Sequence, residues 1–330
     1  ATDRDDESAM GAVGRRGRAH GWLWAKKGEY FTRDFLQNTA VETGKLPLGR
    51  GVGLAGASFP SGVSNMSHIS SGAVVQLGRD GAINVLTGAA DIGQGAETVI
   101  GQIVAEELGV PIEDIRVTAA DTGITPLDPG TFGSGVTVRA GNAARLAAIS
   151  AKQKLLEFVA DKLEANAADL VAKDRSIFVK GSPDKGITLA EALKGYQYAD
   201  LPMPIVGRGS WMAPASEPTT LFKEDGNFAP NYSFMTQAAE VDVDLETGKV
   251  KLLKMVTAHD CGRPINPMLV EGQLEGSVVG GMGQALYEDV IVENGQVMNP
   301  SFLDYGFPTF LEMPEIEAIE VATDDPIGPF

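Results

Sequence analysis

The stretch AVVQLGRDGAINVLTGAADIGQGAETVIGQIVAEEL, residues 73–108, decides the fold. Ala73-Val74-Val75-Gln76-Leu77 alternates as a strand, Arg79-Asp80-Gly81 has turn chemistry, and Ile83-Asn84-Val85-Leu86 returns as the partner strand. The turn Asp91-Ile92-Gly93-Gln94-Gly95 then opens a helix from about Ala96 to Leu108, with Val99, Ile100, Ile103, Val104 and Leu108 as its apolar stripe. Gly109-Val110-Pro111 stops that helix, and Ile112 to Ala119 reads as a strand. The same order returns later. Ala239 to Val243 is a strand, Glu246-Thr247-Gly248-Lys249 a turn, and Val250 to Val256 the partner. Asp260 to Pro267 is a turn with Gly262 and Pro264, leading into a helix from about Met268 to Glu288. Hairpin, glycine turn and helix thus occur twice, at 73–108 and 239–288, with low identity between the copies. This predicts an α+β fold of two similar lobes, 46–235 and 236–330, facing a shared cleft. Residues 1–45 form a charged lead-in without a clear stripe.

Between the two copies lies a loop of special residues: Pro126, Asp128, Pro129, Gly130, Thr131, Phe132, Gly133, Ser134 and Gly135. A long helix follows, from about Thr137 to Ala165, with Leu146, Ile149, Leu155, Phe158, Val159 and Leu163 as its expected apolar face. Asp174 to Lys185 reads as a strand with a turn, and Leu189 to Leu193 as a short helix. Pro202 to Asn231 is rich in Pro, Gly and Ser and shows little periodicity.

The chain has 330 residues, with 43% hydrophobic and 22% charged, which suits about two globular domains. One cysteine, Cys261, excludes an internal disulfide and any iron–sulfur cluster or thiolate zinc site within the chain. That usage fits a reducing cytoplasm. The net charge of −17 disfavours nucleic acid and anionic membranes as partners. No apolar run of membrane-spanning length occurs, and residues 1–20 lack the apolar stretch of a signal peptide.

Several catalytic patterns can be set aside. Gly51-Val52-Gly53-Leu54-Ala55-Gly56 is a literal G-x-G-x-x-G, but its flanks lack the strand and helix that a dinucleotide site needs, and a glycine-rich strand is the better reading. His20, His68 and His259 are the only histidines, and none sits in H-E-x-x-H. Ser134 lacks the nucleophile elbow, because position 132 is Phe. His259 and Asp260 read as structural neighbours on opposite strand faces, and Cys261 as a packed thiol.

Two helix starts do carry chemistry. Gln94 lies between Gly93 and Gly95, where backbone N–H groups and the helix dipole favour an anion. Its amide can both donate to and accept from a heterocycle edge. Gly272-Gln273 is followed by Gly276, Gly280, Gly281 and Gly283, a density that implies close packing on a helix or a flat ligand.

Five segments in matching order carry a family resemblance. Asp91-Ile92-Gly93-Gln94-Gly95 with Glu97-Thr98 resembles the Gly-Gln-Gly motif of the molybdenum subunits of the xanthine oxidase family. Phe132-Gly133-Ser134-Gly135-Val136-Thr137, with Gly141-Asn142-Ala143, is similar to that family's cofactor loop. Asp260-Cys261-Gly262 with Ile265-Asn266-Pro267 resembles its D-x-G-x-x-x-N-P segment. Glu271 to Gly276, with Gly281 to Leu286 and Glu288, resembles its G-Q-x-x-G helix. Asp325 to Phe330 resembles the run before its catalytic loop. The resemblance covers about residues 46 to 330. The stretch Leu86 to Asn142 is most similar to 4-hydroxybenzoyl-CoA reductases or to xanthine and nicotinate dehydrogenases.

The resemblance implies a molybdenum–molybdopterin cofactor, with or without a cytosine dinucleotide, in the cleft between two mixed-sheet lobes. Gly93, Gln94, Gly95, Thr131, Phe132, Gly133, Ser134, Val136, Thr137 and Gln273 would bind it. Molybdenum would be held by the pterin's sulfurs, not by a protein ligand. The reaction implied is hydroxylation of an aromatic, N-heterocyclic or aldehyde substrate, or its reductive counterpart. Electrons would leave to iron–sulfur and FAD partner subunits, and a complementary segment of the molybdenum subunit is a further expected partner. The family's catalytic glutamate falls beyond Phe330, and its pocket-shaping Phe–Gly motifs fall upstream of the matched part. A truncated chain, a natural split subunit and a disrupted gene product all remain open. So does a non-catalytic role as a cofactor-binding or scaffolding half-subunit.

Overall fold

The computed structural model describes residues 49–62, 70–198, 204–213, 229 and 231–330. The lead-in 1–45 lies outside them. The chain forms two compact units, and each is continuous only in space. The first comprises Pro60–Tyr232, Gly262–Asn266 and Asp324–Phe330; the second comprises Ser233–Cys261 and Pro267–Thr323 with the chain up to Phe59.

The second unit opens with β1 (Arg50–Ser61), the glycine-rich strand expected at this position. The first unit then contains the hairpin of β2 (Ser70–Leu77) and β3 (Ile83–Thr87), in antiparallel register with Val75 opposite Val85. Their alternating pattern is the half-buried one the sequence implies, with Ala73, Val75, Leu77, Ile83 and Val85 inside. Helix α1 (Ala96–Leu108) buries Ile100, Ile103, Val104 and Leu108. It serves as the crossover to β4 (Ile115–Ala119), which runs parallel to β3. The strand expected from Ile112 starts later, because Ile112–Asp114 turns as a short 3-10 helix.

Helix α2 (Val136–Leu163) departs from its expected apolar face. Leu155 and Val159 are buried as expected, but Leu146 is 41% exposed. The packed face is built from Ala140, Ala143, Ala144, Ala147, Ala148 and Ala151. The reason lies in the strand beneath. After β5 (Leu170–Lys173), β6 (Ser176–Val179), β7 (Ser182–Thr188) and α3 (Leu189–Tyr198), the chain forms β8 (Ile205–Met212). A Cβ on Gly207 or Gly209 of β8 would run into the carbonyl oxygen of Ala147 or Ala143. Small residues on both sides let helix and strand approach closely, and large apolar side chains are not needed there. The main sheet runs β4-β3-β2-β8, and β5-β6-β7 form a separate three-stranded sheet where one strand and a turn were expected. Strand β8 itself corrects the reading of 202–231 as lacking periodicity: its regularity is masked by Gly207, Gly209 and Ser210.

In the second unit, β9 (Asn231–Val243) and β10 (Val250–Asp260) form the expected hairpin. Asp244 closes its turn by accepting the N–H of Glu246 at 2.9 Å and the hydroxyl of Thr247 at 2.7 Å. Helix α4 (Pro267–Leu286) follows. The small hairpin of β11 (Val292–Glu293) and β12 (Gln296–Val297) and the short α5 (Phe302–Tyr305) come next. The last strand, β13 (Glu315–Glu320), lies parallel to β10. The sheet order is β1-β9-β10-β13. Each unit therefore repeats antiparallel hairpin, helix and parallel strand, as the pseudo-repeat implies. Strand β1, expected with the first lobe, is hydrogen-bonded into this second sheet. Its start is anchored by Arg50, which pairs with Glu240 at 2.9 Å. Mixed sheets with helices make the fold α+β.

Candidate functional site

The first unit brings two of the expected segments into contact at the starts of α1 and α2. At α1, Gly93 and Gly95 adopt left-handed φ of 108° and 81°, which favour glycine. The turn they permit lets Asp91 cap the helix. Its Oδ1 accepts the N–H of Gly93 at 2.9 Å and of Gly95 at 3.3 Å, and its Oδ2 accepts the N–H of Glu97 at 3.3 Å. The backbone bond from Gly93, ahead of the others, holds the Asp91 carboxyl below its ordinary value, against some desolvation. The N–H groups read as free for an anion are therefore taken by a carboxylate, which corrects that expectation. Gln94 is also partly engaged. Its Oε1 accepts the N–H of Ile92 at 2.7 Å, and its Nε2 donates to the carbonyl of Ala90 at 3.2 Å. One N–H and one lone pair remain for a ligand.

At α2 the loop is held from several sides. Asp128 Oδ1 accepts the N–H of Gly130 at 2.8 Å, and its Oδ2 accepts the hydroxyl of Ser71 at 2.5 Å. Thr131 Oγ1 donates to the carbonyl of Ala90 at 2.6 Å, which ties this loop to the one before α1. The N–H of Gly62 donates to the carbonyl of Gly133 at 2.7 Å. Gly130, Gly133 and Ser134 have φ of 108°, 60° and 50°, so the chain curls tightly just before the helix. Gly135 supplies no side-chain cap, and among the described residues nothing accepts the first-turn N–H groups of Val136, Thr137 and Val138. The hydroxyl-bearing Ser134 and Thr137 are exposed beside them. This helix start, unlike that of α1, is a set of donors suited to an anion.

Sequence reasoning missed Arg139. It is 1% exposed, and its Nη2 donates to the carbonyls of Gly130 and Phe132, both at 3.2 Å. The guanidinium carbon lies 4.8 Å from the centre of the Phe132 ring. Burial pulls its pKa down, while Asp128 favours the charged form. The available signal was a lone arginine inside the apolar run Val138 to Ala140.

Two further expected segments belong to the same unit. Asn142 Nδ2 donates to the carbonyl of Val138 at 2.8 Å and to that of Ile327 at 2.9 Å. Arg145 lies 5.0 Å from the centre of the Phe330 ring. The run Asp325 to Phe330 thus packs along α2. Asn266 Nδ2 donates to Gln102 Oε1 on α1 at 3.1 Å, which places the turn after Cys261 there as well.

Gln273 is in the second unit, exposed on α4. A Cβ added at Gly272, Gly276, Gly280 or Gly281 would meet nothing within 4 Å. Close packing on a helix or a flat ligand was expected on these and on Gly283: among the described residues nothing packs on the four, whereas a Cβ on Gly283 would collide with the Glu288 carboxylate and stand 3.3 Å from Pro308. Cys261 is exposed, not packed. Its thiol is pushed up to about 11 by desolvation first, then by Glu320 and Asp260. The exposure discounts the desolvation, and the two carboxylates act in the same direction, so the thiol stays protonated and unreactive at neutral pH. Burial lowers the pKa of His259, with Asp260 opposing it. Asp260 itself accepts the hydroxyl of Thr323 at 2.8 Å, a structural role. Among the described residues, no group of three or more His, Cys, Asp or Glu could hold a metal ion. No helix among them is long and apolar enough to cross a membrane.

The family described as molybdopterin cofactor-binding domain matches residues 28–314. The chain is 34% identical to the xanthine dehydrogenase molybdenum-binding subunit of Escherichia coli O157:H7, over 84% of this chain and 36% of that protein. It is 31% identical to the nicotine 6-hydroxylase large subunit of Paenarthrobacter nicotinovorans, over 87% of this chain and 35% of that protein. Among solved structures, a Cu,Mo-CO dehydrogenase superposes with a TM-score of 0.75 at 27% identity, over 94% of this chain and 39% of that one. Quinoline 2-oxidoreductase from Pseudomonas putida 86 gives 0.74 at 25% identity, over 96% and 40%. The chain spans a little over a third of the length of these two curated relatives, 36% and 35%.

Proposed function

We propose a function from one premise: the chain belongs to the molybdopterin cofactor-binding domain family, as part of a molybdenum-binding subunit of the xanthine oxidase type. On that premise it holds molybdopterin in a molybdenum hydroxylase that oxidises, or reductively dehydroxylates, an aromatic, N-heterocyclic or aldehyde substrate. When bound, the cofactor supplies the two-electron chemistry of molybdenum. The observation that carries the reading is the bond from Thr131 to Ala90, which joins the two motif-bearing loops into one surface.

The residues present fit the group, and they divide the work. The uncapped start of α2, with Ser134, Thr137 and the N–H groups of Val136 to Val138, suits the anionic phosphate of the cofactor or a cytosine diphosphate tail. The start of α1 is occupied by the Asp91 carboxylate and suits a neutral, hydrogen-bonding ring edge, met by the remaining donor and acceptor of Gln94. Gly93 leaves open space where a side chain would stand, so a flat ring can approach the backbone. Gln273 would contribute from α4. Thr131, Phe132 and Gly133 form the loop between these donors.

Electrons would pass to partner subunits that carry iron–sulfur clusters and FAD, in a cytoplasmic assembly. The apolar side chains of Phe302, Leu303, Phe310 and Leu311, each at least 83% exposed, support the reading that the remainder of a molybdenum subunit packs on the segment 302–311. Anaerobic mixing of the native assembly with a purine, a pyridine-type heterocycle, an aldehyde and a thioester-activated hydroxybenzoate tests the function. Bleaching of iron–sulfur and flavin absorbance by at least one oxidisable class is expected; no change with any of them, and no reductive turnover, would contradict it.

A further inference from the structure

Arg139 is an expensive choice for its position. It projects from the alanine face of α2, is 1% exposed, and leaves Nε and Nη1 without a hydrogen-bond partner. Buried donors without acceptors destabilise a fold, and an apolar side chain of the same volume would suit an alanine-lined interior better. Room for the guanidinium also constrains its neighbour. A Cβ on Gly135 would collide with Nη1 and stand 2.9 Å from Gly62 Cα.

The guanidinium does impose one thing on the loop. By donating to the carbonyls of Gly130 and Phe132, it draws both oxygens inward, the second together with the N–H of Gly135 at 3.4 Å. A trans peptide is planar, so a carbonyl turned inward turns the N–H of the same peptide outward. The two N–H groups are those of Thr131 and Gly133, and among the described residues neither meets a protein acceptor. Asp128 fixes the preceding peptide by accepting the N–H of Gly130.

We propose that Arg139 is a positioning residue for cofactor binding: it holds the Gly130 and Phe132 carbonyls inward and so presents the N–H groups of Thr131 and Gly133 to an anionic part of the ligand. The inference rests on the cofactor reading above, and it assigns a role to a residue that touches no ligand. Gly135 belongs to the same packing, because a Cβ there would meet both Nη1 and the backbone of Gly62.

The test uses Arg139→Met, which keeps the volume and removes the donors, together with Arg139→Lys and Gly135→Ala. Leu155→Ala, lower on the same helix, serves as a control for general destabilisation. Each variant is purified in the native assembly for pterin per folded chain, and the stripped chain is followed by amide hydrogen exchange. For Arg139→Met we expect exchange of the two bonded amides that hold the loop, Gly130 on Asp128 and Gly62 on the Gly133 carbonyl, to rise about tenfold with 96–108 unchanged, and pterin per folded chain to fall about tenfold or more. Gly135→Ala should do the same and Arg139→Lys should recover part of the binding. Leu155→Ala should melt earlier yet keep its pterin per folded chain. If Arg139→Met does not fold, Arg139→Lys and Gly135→Ala decide. Wild-type exchange at Gly62 and Gly130 together with wild-type pterin content in these variants would overturn the proposal. A wild-type assembly without pterin would remove the cofactor reading instead, and the exchange contrast would still judge the loop's dependence on Arg139.

Discussion

Thr131 Oγ1 and the carbonyl oxygen of Ala90 are 2.6 Å apart, and this bond joins two loops 41 residues apart in sequence. Among the described residues the one other side chain that donates to Ala90 is Gln94, at 3.2 Å. Thr131→Val keeps the shape and removes the donor. It should destabilise the first unit by about 1 kcal/mol, as for a single lost hydrogen bond. Thr131→Ser should retain wild-type stability within about half of that. Thermal melting of the three proteins checks the order, and equal melting of the Val variant would show that the loops are held by other means.

Asp91 makes the stability of the α1 start dependent on pH. Its folded pKa is depressed, chiefly by the N–H of Gly93. The cap therefore contributes fully above the ordinary aspartate value of about 3.9 and is lost as pH falls through the lower folded value. Asp91→Ala should cost about 1 kcal/mol at neutral pH, as for loss of an N-terminal cap. The gap between wild type and variant should stay flat from neutral pH down to about 5 and close only in strong acid. A gap that closes near neutrality would point to a different titrating group.

Gly207 and Gly209 carry the helix–strand contact of the first unit. An added Cβ meets backbone carbonyl oxygens of α2 at both positions, and backbone cannot give way as a side chain can. Either glycine changed to Ala should destabilise by about 3 kcal/mol or more. Urea unfolding checks this, and a loss below about 1 kcal/mol would mean that the helix shifts freely over β8.

Those glycines also show what was legible in the sequence. The hairpins and α1 were readable because alternation and a helical stripe of Val, Ile and Leu mark burial directly, and α4 because the turn with Gly262 and Pro264 precedes it. The face of α2 and the strand β8 were not, since alanine and glycine give no periodic contrast and their fit is visible only when both surfaces are present. Strand β1 was readable as a strand from its glycine pattern, but its sheet was not, because its partner β9 lies some way down the chain, with Arg50 and Glu240 190 residues apart. At the site, Gln94 and Thr131 were readable as motif positions. The capping of α1 by Asp91 and the inward turn of Arg139 depend on left-handed turns at Gly93, Gly95 and Gly133, which the sequence permits without specifying.

Glu320 is poorly placed for a negative charge. Its Oε1 is buried without a partner, and desolvation, with Glu271 second, raises its pKa. For an acid with a raised folded pKa, the penalty appears as pH rises from the ordinary glutamate value of about 4.3 and is complete above the folded value. Glu320→Gln should therefore be at least as stable as wild type at neutral pH. The two should converge below about pH 4. Melting curves across this range check it, and a variant clearly less stable at neutral pH would show that the carboxylate has a partner in solution.

The most direct measurement is the molar content of molybdenum and pterin in this chain, purified from its native assembly. The account predicts near-equal amounts of molybdenum, pterin and chain. Neither metal nor pterin, from cells whose other molybdenum enzymes are loaded, would contradict it and leave the chain as a scaffold that has kept the fold without the cofactor.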